Sequence, residues 1–90
     1  MKPKVAIATV SGKAYFLIVN GLRERNMAFL SLIPGDPVPA EAKVVITTDK
    51  EKHLINHERI LVYDSETELD TVVNEAVKIL QGKESYEKVV

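Results

Sequence analysis

Residues 27–48 read MAFLSLIPGDPVPAEAKVVITT, and this stretch decides the fold because it holds two apolar runs joined by a proline-rich connector. The runs Met27–Ile33 and Val44–Thr48 are apolar and have the length of buried strands, and the second run is β-branched throughout. Between them, Pro34-Gly35-Asp36-Pro37-Val38-Pro39 can form neither a helix nor a central strand. A connector of about ten residues spans roughly 30 Å when extended. We therefore predict that Ile33–Pro39 is an extended crossover that keeps the two strands parallel.

Two more strands and a helix are predicted outside this stretch. Val5–Val10 is a continuous apolar run, typical of a strand buried on both faces, and Ile60–Tyr63 is a fourth strand. Ser65 and Glu68 have the spacing of a capping box, which predicts a helix start. The apolar positions from Leu69 to Leu80 then follow helical spacing, and Gly82 is placed to end that helix.

Two segments are harder to interpret. Ser11-Gly12 is either a hairpin turn into a second strand or the cap of a helix that runs to about Arg25. The helical spacing of Ala14, Ile18 and Leu22 favours the helix, although several neighbours of these residues prefer strands. Thr48 and Glu51 repeat the capping-box spacing and predict a short helix through about Asn56.

Strands that alternate with amphipathic helices predict an α/β fold with a mainly parallel sheet. We predict a small three-layer, Rossmann-like or receiver-like domain with the formula β-α-β-β-α-β-α and a four-stranded sheet of order 2-1-3-4. With right-handed crossovers, this order reverses the winding direction between the first and third strands. A topological switch point beside Ser11 and Thr48 follows, and ligands bind at such points in open α/β sheets.

Composition limits what the domain binds. The 90 residues fit one domain, and a formal charge of −1 does not give the positive field that nucleic-acid binding normally needs. No run reaches the length of a membrane span, and the absence of cysteine excludes disulfides and a thiol nucleophile. We expect a cytoplasmic domain with no cofactor and no membrane or nucleic-acid partner, and its many Lys and Glu residues resemble thermophile usage.

Candidate ligand-binding residues follow the predicted strands at one edge of the sheet. Ser11-Gly12-Lys13 offers free amides, a helix N-terminus and a cation, which suit phosphate or carboxylate, although a cap and a tight turn explain the same residues. Asp49 and Asp64 are placed to hold Mg²⁺ through water, or simply to stabilise helix N-termini. The candidate ligand-binding residues are Ser11, Gly12, Lys13, Thr48, Asp49, Asp64 and Ser65.

Two other features have residue types that occur in binding sites. His53 and His57 are four residues apart and would share a helical face, but no third metal ligand is evident, so we predict no metal site. The residues Pro34, Gly35, Asp36 and Pro37 form a stiff loop that either presents an interaction surface or merely lowers the entropy of the unfolded chain.

Two resemblances bear on function. The strand and helix formula resembles that of response regulator receivers, but Thr9-Val10-Ser11 stands where a receiver has its acidic pair, and no lysine ends the fourth strand. Phosphoacceptor function is therefore not supported. The stretches Phe29–Pro39 and Lys43–Thr48 are similar to the leading domain of uncharacterised archaeal proteins that continue into an RNase H-like, Holliday junction resolvase-like domain. That resemblance implies an accessory domain without catalytic residues.

These observations predict a non-catalytic accessory or protein-interaction domain that docks a neighbouring domain, a partner chain or a second copy of itself. The alternative is a small anion or nucleotide-binding domain that uses the carboxyl edge of the strands. Tyr86–Val90 resembles the start of another strand, so residues 1–90 are interpreted as one domain, with a longer protein continuing after it.

Overall fold

Four parallel strands form the centre of the computed structural model, which describes residues 3–81. Neighbouring strands are paired in the order β2-β1-β3-β4, and all three pairs are parallel. The predicted fold class, strand order and strand direction are therefore confirmed. The strands are β1 (Lys4–Ala8), β2 (Phe29–Ser31), β3 (Ala42–Thr48) and β4 (Ile60–Tyr63).

The segment after β1 is a helix, α1 (Gly12–Glu24), and not a hairpin. Ser11 is its N-cap, and the Ser11 Oγ accepts a hydrogen bond from the Ala14 N–H at 3.3 Å. Ala14, Ile18 and Leu22 are all buried, so one apolar face decides the conformation over the strand preference of their neighbours. The second helix, α2 (Leu69–Leu80), follows a single 3₁₀ turn at Glu66–Glu68. Gly82 and Tyr86–Val90 lie outside the described residues.

The prediction of a short helix after β3 is wrong. The segment forms only a single 3₁₀ turn, Lys52–Leu54. Ile55, immediately after it, is extended and 7% exposed, because its side chain packs in the core of the sheet. Burial of Ile55 therefore ends the turn before a second helical turn can form, and an isolated helix this short has little stability of its own.

The sheet has a different cover on each side. Both α-helices pack on one side, which we call the helical face, through residues such as Ile18, Leu22 and Val73. On the other side, which we call the connector face, Val38 and Ile55 from the two connecting segments cover small residues of β1 and β3. The connector between β2 and β3 begins with a tight turn in which the Asp36 N–H donates to the Ile33 carbonyl at 3.0 Å. Gly35 has a φ of 103°, which glycine adopts without strain, so the connector is turned at its start and not extended throughout.

Candidate functional site

A cleft of about 750 Å³ lies over the carboxyl ends of β1, β3 and β4, beside the switch point between β1 and β3. Segments far apart in the sequence meet there because parallel strands all end at the same edge. The lining residues are Thr9, Val10, Ser11, Thr48, Asp49, Lys50, Glu51, Tyr63, Asp64 and Ser65.

Five of the seven residues that the sequence indicated line this cleft: Ser11, Thr48, Asp49, Asp64 and Ser65. Gly12 and Lys13 lie in the first turn of α1 and are not among the lining residues. The loop Pro34, Gly35, Asp36 and Pro37 does not line the cleft either, because β2 is the far edge strand and the connector leaves it for the connector face.

A hydrogen bond that the sequence did not reveal ties two walls of the cleft together. The hydroxyls of Thr9 and Tyr63 are 2.7 Å apart, and either oxygen can be the donor. Tyr63 is the last residue of β4 and is 5% exposed, with its ring in the core of the helical face. The bond lets the Tyr63 ring stay buried while its hydroxyl is satisfied, as buried tyrosines require. It also fixes the end of β1 to the end of β4 across β3.

The loop between β1 and α1 uses its polar groups locally. The Ser11 N–H donates to the Thr9 Oγ1 at 3.3 Å, and the Ser11 side chain caps the helix. Val10, between them, is 80% exposed at the rim of the cleft. The prediction that Val10 belongs to a buried strand is wrong, because β1 ends at Ala8 and the chain turns outward to reach the cap at Ser11.

The segment after β3 is held by side-chain pairs. The Thr48 hydroxyl donates to the Glu51 carboxylate at 2.6 Å, so the predicted capping-box residues bind each other directly. The Lys52 ammonium lies 2.9 Å from the Asp49 carboxylate. This hydrogen bond, reinforced by the charge of Asp49, raises the pKa of Lys52 above its ordinary value.

The segment after β4 forms half of the predicted capping box. The Glu68 Oε1 accepts from the Ser65 N–H at 3.2 Å and from the Asp64 N–H at 2.8 Å. The Ser65 hydroxyl lies 2.7 Å from the Thr67 hydroxyl. The amides of Asp64 and Ser65, which could hold an anion, are therefore already bound to a carboxylate of the same chain.

The charge of the cleft also bears on its ligand. Three carboxylates, on Asp49, Glu51 and Asp64, and one lysine, Lys50, give the lining a formal charge of −2. Negative charge on the lining opposes binding of phosphate and nucleotides and favours a cationic or neutral group.

The two histidines do not form a metal pair. The helical turn stops at Leu54, so His53 and His57 share no helical face. The ring of His57 instead joins the segment before β4 to the start of β3: its Nδ1 accepts from the Arg59 N–H at 3.0 Å, and its Nε2 is 3.0 Å from the Ala42 carbonyl. Within residues 3–81, no group of three or more potential ligands among His, Asp and Glu is close enough to hold a metal ion.

Together, the parallel sheet, its order and the position of the cleft at the switch point define a doubly wound α/β domain with a cleft at its carboxyl edge. The family model of the response regulator receiver-like domain matches residues 4–80, and the chain belongs to this family. No curated protein and no solved structure shows a significant match to the chain. In the part of the chain that the structure describes, neither helix has the length and apolar character needed to cross a membrane.

Proposed function

We propose that this chain is a non-catalytic regulatory or protein-interaction domain whose partner docks on the cleft at the carboxyl edge of the sheet. The observation that carries the proposal is Val10, an apolar side chain that is 80% exposed at the rim of a polar, acidic cleft. An apolar anchor beside satisfied polar groups is the usual composition of a protein-binding surface. The charge of the lining favours a partner that presents basic side chains.

The local use of polar groups supports docking over catalysis. Ser11 caps α1, Thr48 binds Glu51, and Glu68 holds the amides after β4. A nucleophile needs an adjacent base that takes its proton, and the described hydrogen bond of the Ser11 hydroxyl is to the Ala14 N–H, which is a donor and not a base. Membership of the receiver-like family fits a domain that acts on other proteins or domains.

The nature of the partner is a further part of the proposal. The resemblance to the leading domain of archaeal proteins indicates an RNase H-like domain that follows in the same protein, and this remains a prediction based on the resemblance alone. The cytoplasmic location and the single-domain boundaries 1–90 also remain predictions.

The experiment has two stages. A photo-crosslinking amino acid at position 10 of the full-length protein, in its own host cells, captures the partner, and the purified partner is then titrated against variants. We expect Val10→Glu to weaken binding at least tenfold because it places a charge at an apolar contact. The matched control is Phe16→Glu on α1, since Phe16 is 64% exposed and does not line the cleft. Equal affinity of the wild-type protein and Val10→Glu would refute docking at the cleft.

The alternative, a small anion or nucleotide bound at Ser11, Gly12, Lys13, Thr48 and Asp49, predicts a different result. Phosphate and a panel of nucleotides are added to the purified protein while thermal unfolding is followed. A nucleotide at 100 times its dissociation constant would stabilise the fold by about 2.7 kcal/mol. Such a shift, lost in Ser11→Ala, would replace the docking proposal. Robust turnover of a phosphoester, abolished by one substitution in the cleft, would also overturn it.

A further inference from the structure

The outer side of β4 carries backbone groups that are not paired by any strand within residues 3–81. β4 is the last strand of the sheet and is paired on one side only, with β3. The Val45 N–H donates to the Arg59 carbonyl at 3.1 Å, so the backbones of Arg59, Leu61 and Tyr63 face β3. The N–H and C=O groups of Ile60 and Val62 therefore point away from the sheet.

The residues of β4 itself include none of the charges, prolines or bulges that keep many sheet edges from associating. The strand Ile60-Leu61-Val62-Tyr63 has no charge, no proline and no break in its register with β3. The opposite edge strand, β2, is only three residues long, and the Arg23 guanidinium lies 5.9 Å from the centre of the Phe29 ring. Of the two edges, β4 is the one disposed to pair with another strand.

The connections between the described strands all have the same handedness. The connection from β1 to β2 runs through α1 over the helical face, toward the β2 edge of the sheet. The connections from β2 to β3 and from β3 to β4 run over the connector face, toward the β4 edge. All three connections therefore have the same hand, and about 98% of such connections are right-handed. A right-handed connection from β4 to a strand on its outer side would cross the connector face, whereas α2 lies on the helical face.

We propose that the outer edge of β4 pairs with β4 of a second copy of this chain and joins the two sheets into one. A two-fold axis perpendicular to the sheet makes the two strands antiparallel and places the helical faces of both copies on the same side. With the axis at Leu61, Ile60 stands opposite Val62 of the partner subunit. Each such pair exchanges two backbone hydrogen bonds, so all the outward groups of Ile60 and Val62 are satisfied.

Side chains and competing contacts favour this register. Ile60 and Val62 are both apolar and lie on the same face, so they pack directly across the new strand pair. With the axis at Val62, Ile60 would stand opposite Asp64 of the partner subunit, and the Asp64 N–H would have to donate to the Ile60 carbonyl. That N–H already donates to Glu68 at 2.8 Å. One contact opposes the pairing: the register centred on Leu61 places Glu58 opposite Asp64 of the partner subunit, and this like-charge contact occurs twice in the dimer.

That like-charge contact provides a test in which the variant gains affinity. We expect Glu58→Lys to lower the dimer dissociation constant about tenfold, because two repulsive contacts become attractive. Glu24→Lys makes the same change of charge on α1, away from β4, and should leave the dissociation constant unchanged. Sedimentation equilibrium over a range of protein concentrations measures both values.

A loss of affinity is expected for Val62→Pro. The Val62 N–H faces outward, so proline at position 62 removes a donor that forms a hydrogen bond only in the dimer. Proline is tolerated at such edge positions, so the monomer should still fold. Circular dichroism checks the fold, and Val62→Lys serves in its place if the proline variant is unfolded. Either variant should be monomeric at concentrations where the wild-type protein is dimeric.

Amide hydrogen exchange reports the same interface directly. The amides of Leu61 and Tyr63 should be protected at every concentration, whereas those of Ile60 and Val62 should become protected only as the dimer forms. A wild-type protein that stays monomeric up to about 1 mM would overturn the proposal. So would a dimer that persists in a folded Val62→Pro variant, or protection of the Ile60 and Val62 amides in the monomer, which would mean that the chain covers its own edge.

Discussion

The buried hydroxyl of Thr47 lowers the stability of the core, so removing this hydroxyl should stabilise the protein. Thr47 is fully buried on β3, and within the described residues its Oγ1 has no hydrogen-bond partner. Val45 packs on the connector face, and the alternation of side chains along β3 places Thr47 on the same face, in register with Ala8 and Val62. The hydroxyl is thus removed from bulk water without gaining a hydrogen bond from any of the described residues.

The magnitude follows from this environment. Leaving a buried hydroxyl unsatisfied costs about 1–3 kcal/mol, and valine has nearly the same shape as threonine. We expect Thr47→Val to raise the free energy of unfolding by about 1 kcal/mol and the melting temperature by about 4–8 °C. Urea denaturation followed by circular dichroism measures the first value, and a thermal scan measures the second.

Two matched variants separate the hydroxyl from the methyl group. Thr47→Ser keeps the hydroxyl and removes a buried methyl, so it should lower the free energy of unfolding by about 1 kcal/mol. Thr48→Val removes a hydroxyl that donates to Glu51 at 2.6 Å, and it should not stabilise the protein. If Thr47→Val instead lowered stability by about 1 kcal/mol, the Thr47 hydroxyl would have a partner, such as a buried water, and the reasoning would be refuted.

Three other substitutions test contacts outside the core. His57→Ala removes the ring that joins Ala42 to Arg59, and it should lower the free energy of unfolding by about 1–2 kcal/mol. The control, His53→Ala at an exposed position, should change the free energy of unfolding by less than about 0.5 kcal/mol. Urea titration compares the two variants. Arg25→Ala removes hydrogen bonds to the Gly21 carbonyl at 2.8 Å and to Asn74 at 3.1 Å, with an expected loss of about 1–2 kcal/mol. Asp70, the ion-pair partner of Arg25, is 83% exposed, so the ion pair contributes little and added salt should leave most of the loss of stability in place. A loss of stability that vanished in salt would contradict the assignment to hydrogen bonds. Asp49→Asn should lower the pKa of Lys52 toward its ordinary value, measured by NMR titration of the lysine side chain. Because the pKa of Lys52 is raised in the folded protein, this pair stabilises the fold below the ordinary lysine pKa, and the contribution disappears as the pH rises through the raised value.

The fold could be predicted from sequence where one residue type limits the backbone strongly. The prolines of the connector favour a crossover over a hairpin between β2 and β3, which predicts parallel strands. The order 2-1-3-4 was a separate prediction of topology, and it is confirmed. The spacing of Ala14, Ile18 and Leu22 identifies α1 despite the strand preference around them. Val10 was misassigned because an apolar run gives no signal for where a strand ends. That position is set instead by the cap at Ser11, two residues beyond Thr9.

The candidate site was predictable only in outline. Residues that follow strands were found because parallel strands end at one edge, which brings Asp49 and Asp64 to the same cleft. The contact of Thr9 with Tyr63 joins residues 54 positions apart, and no local pattern indicates it. The pair of Asp49 with Lys52 has a local spacing that could have been noticed, but it depends on a 3₁₀ turn where a helix was expected.

The two faces of the sheet differ in how strongly the segments that cover them are attached. On the helical face, α1 and α2 pack against each other as well as against the strands, so neither helix can leave without unfolding the core. On the connector face, irregular segments are attached chiefly through Val38 and Ile55, which rest on the small side chains of Ala6, Ala8 and Ala42. Local opening requires less free energy where few apolar contacts must be broken. Fluctuations of the native state should therefore expose the connector face first, and a protease that samples such states would cut near Gly35 while the helices and β1 remain folded.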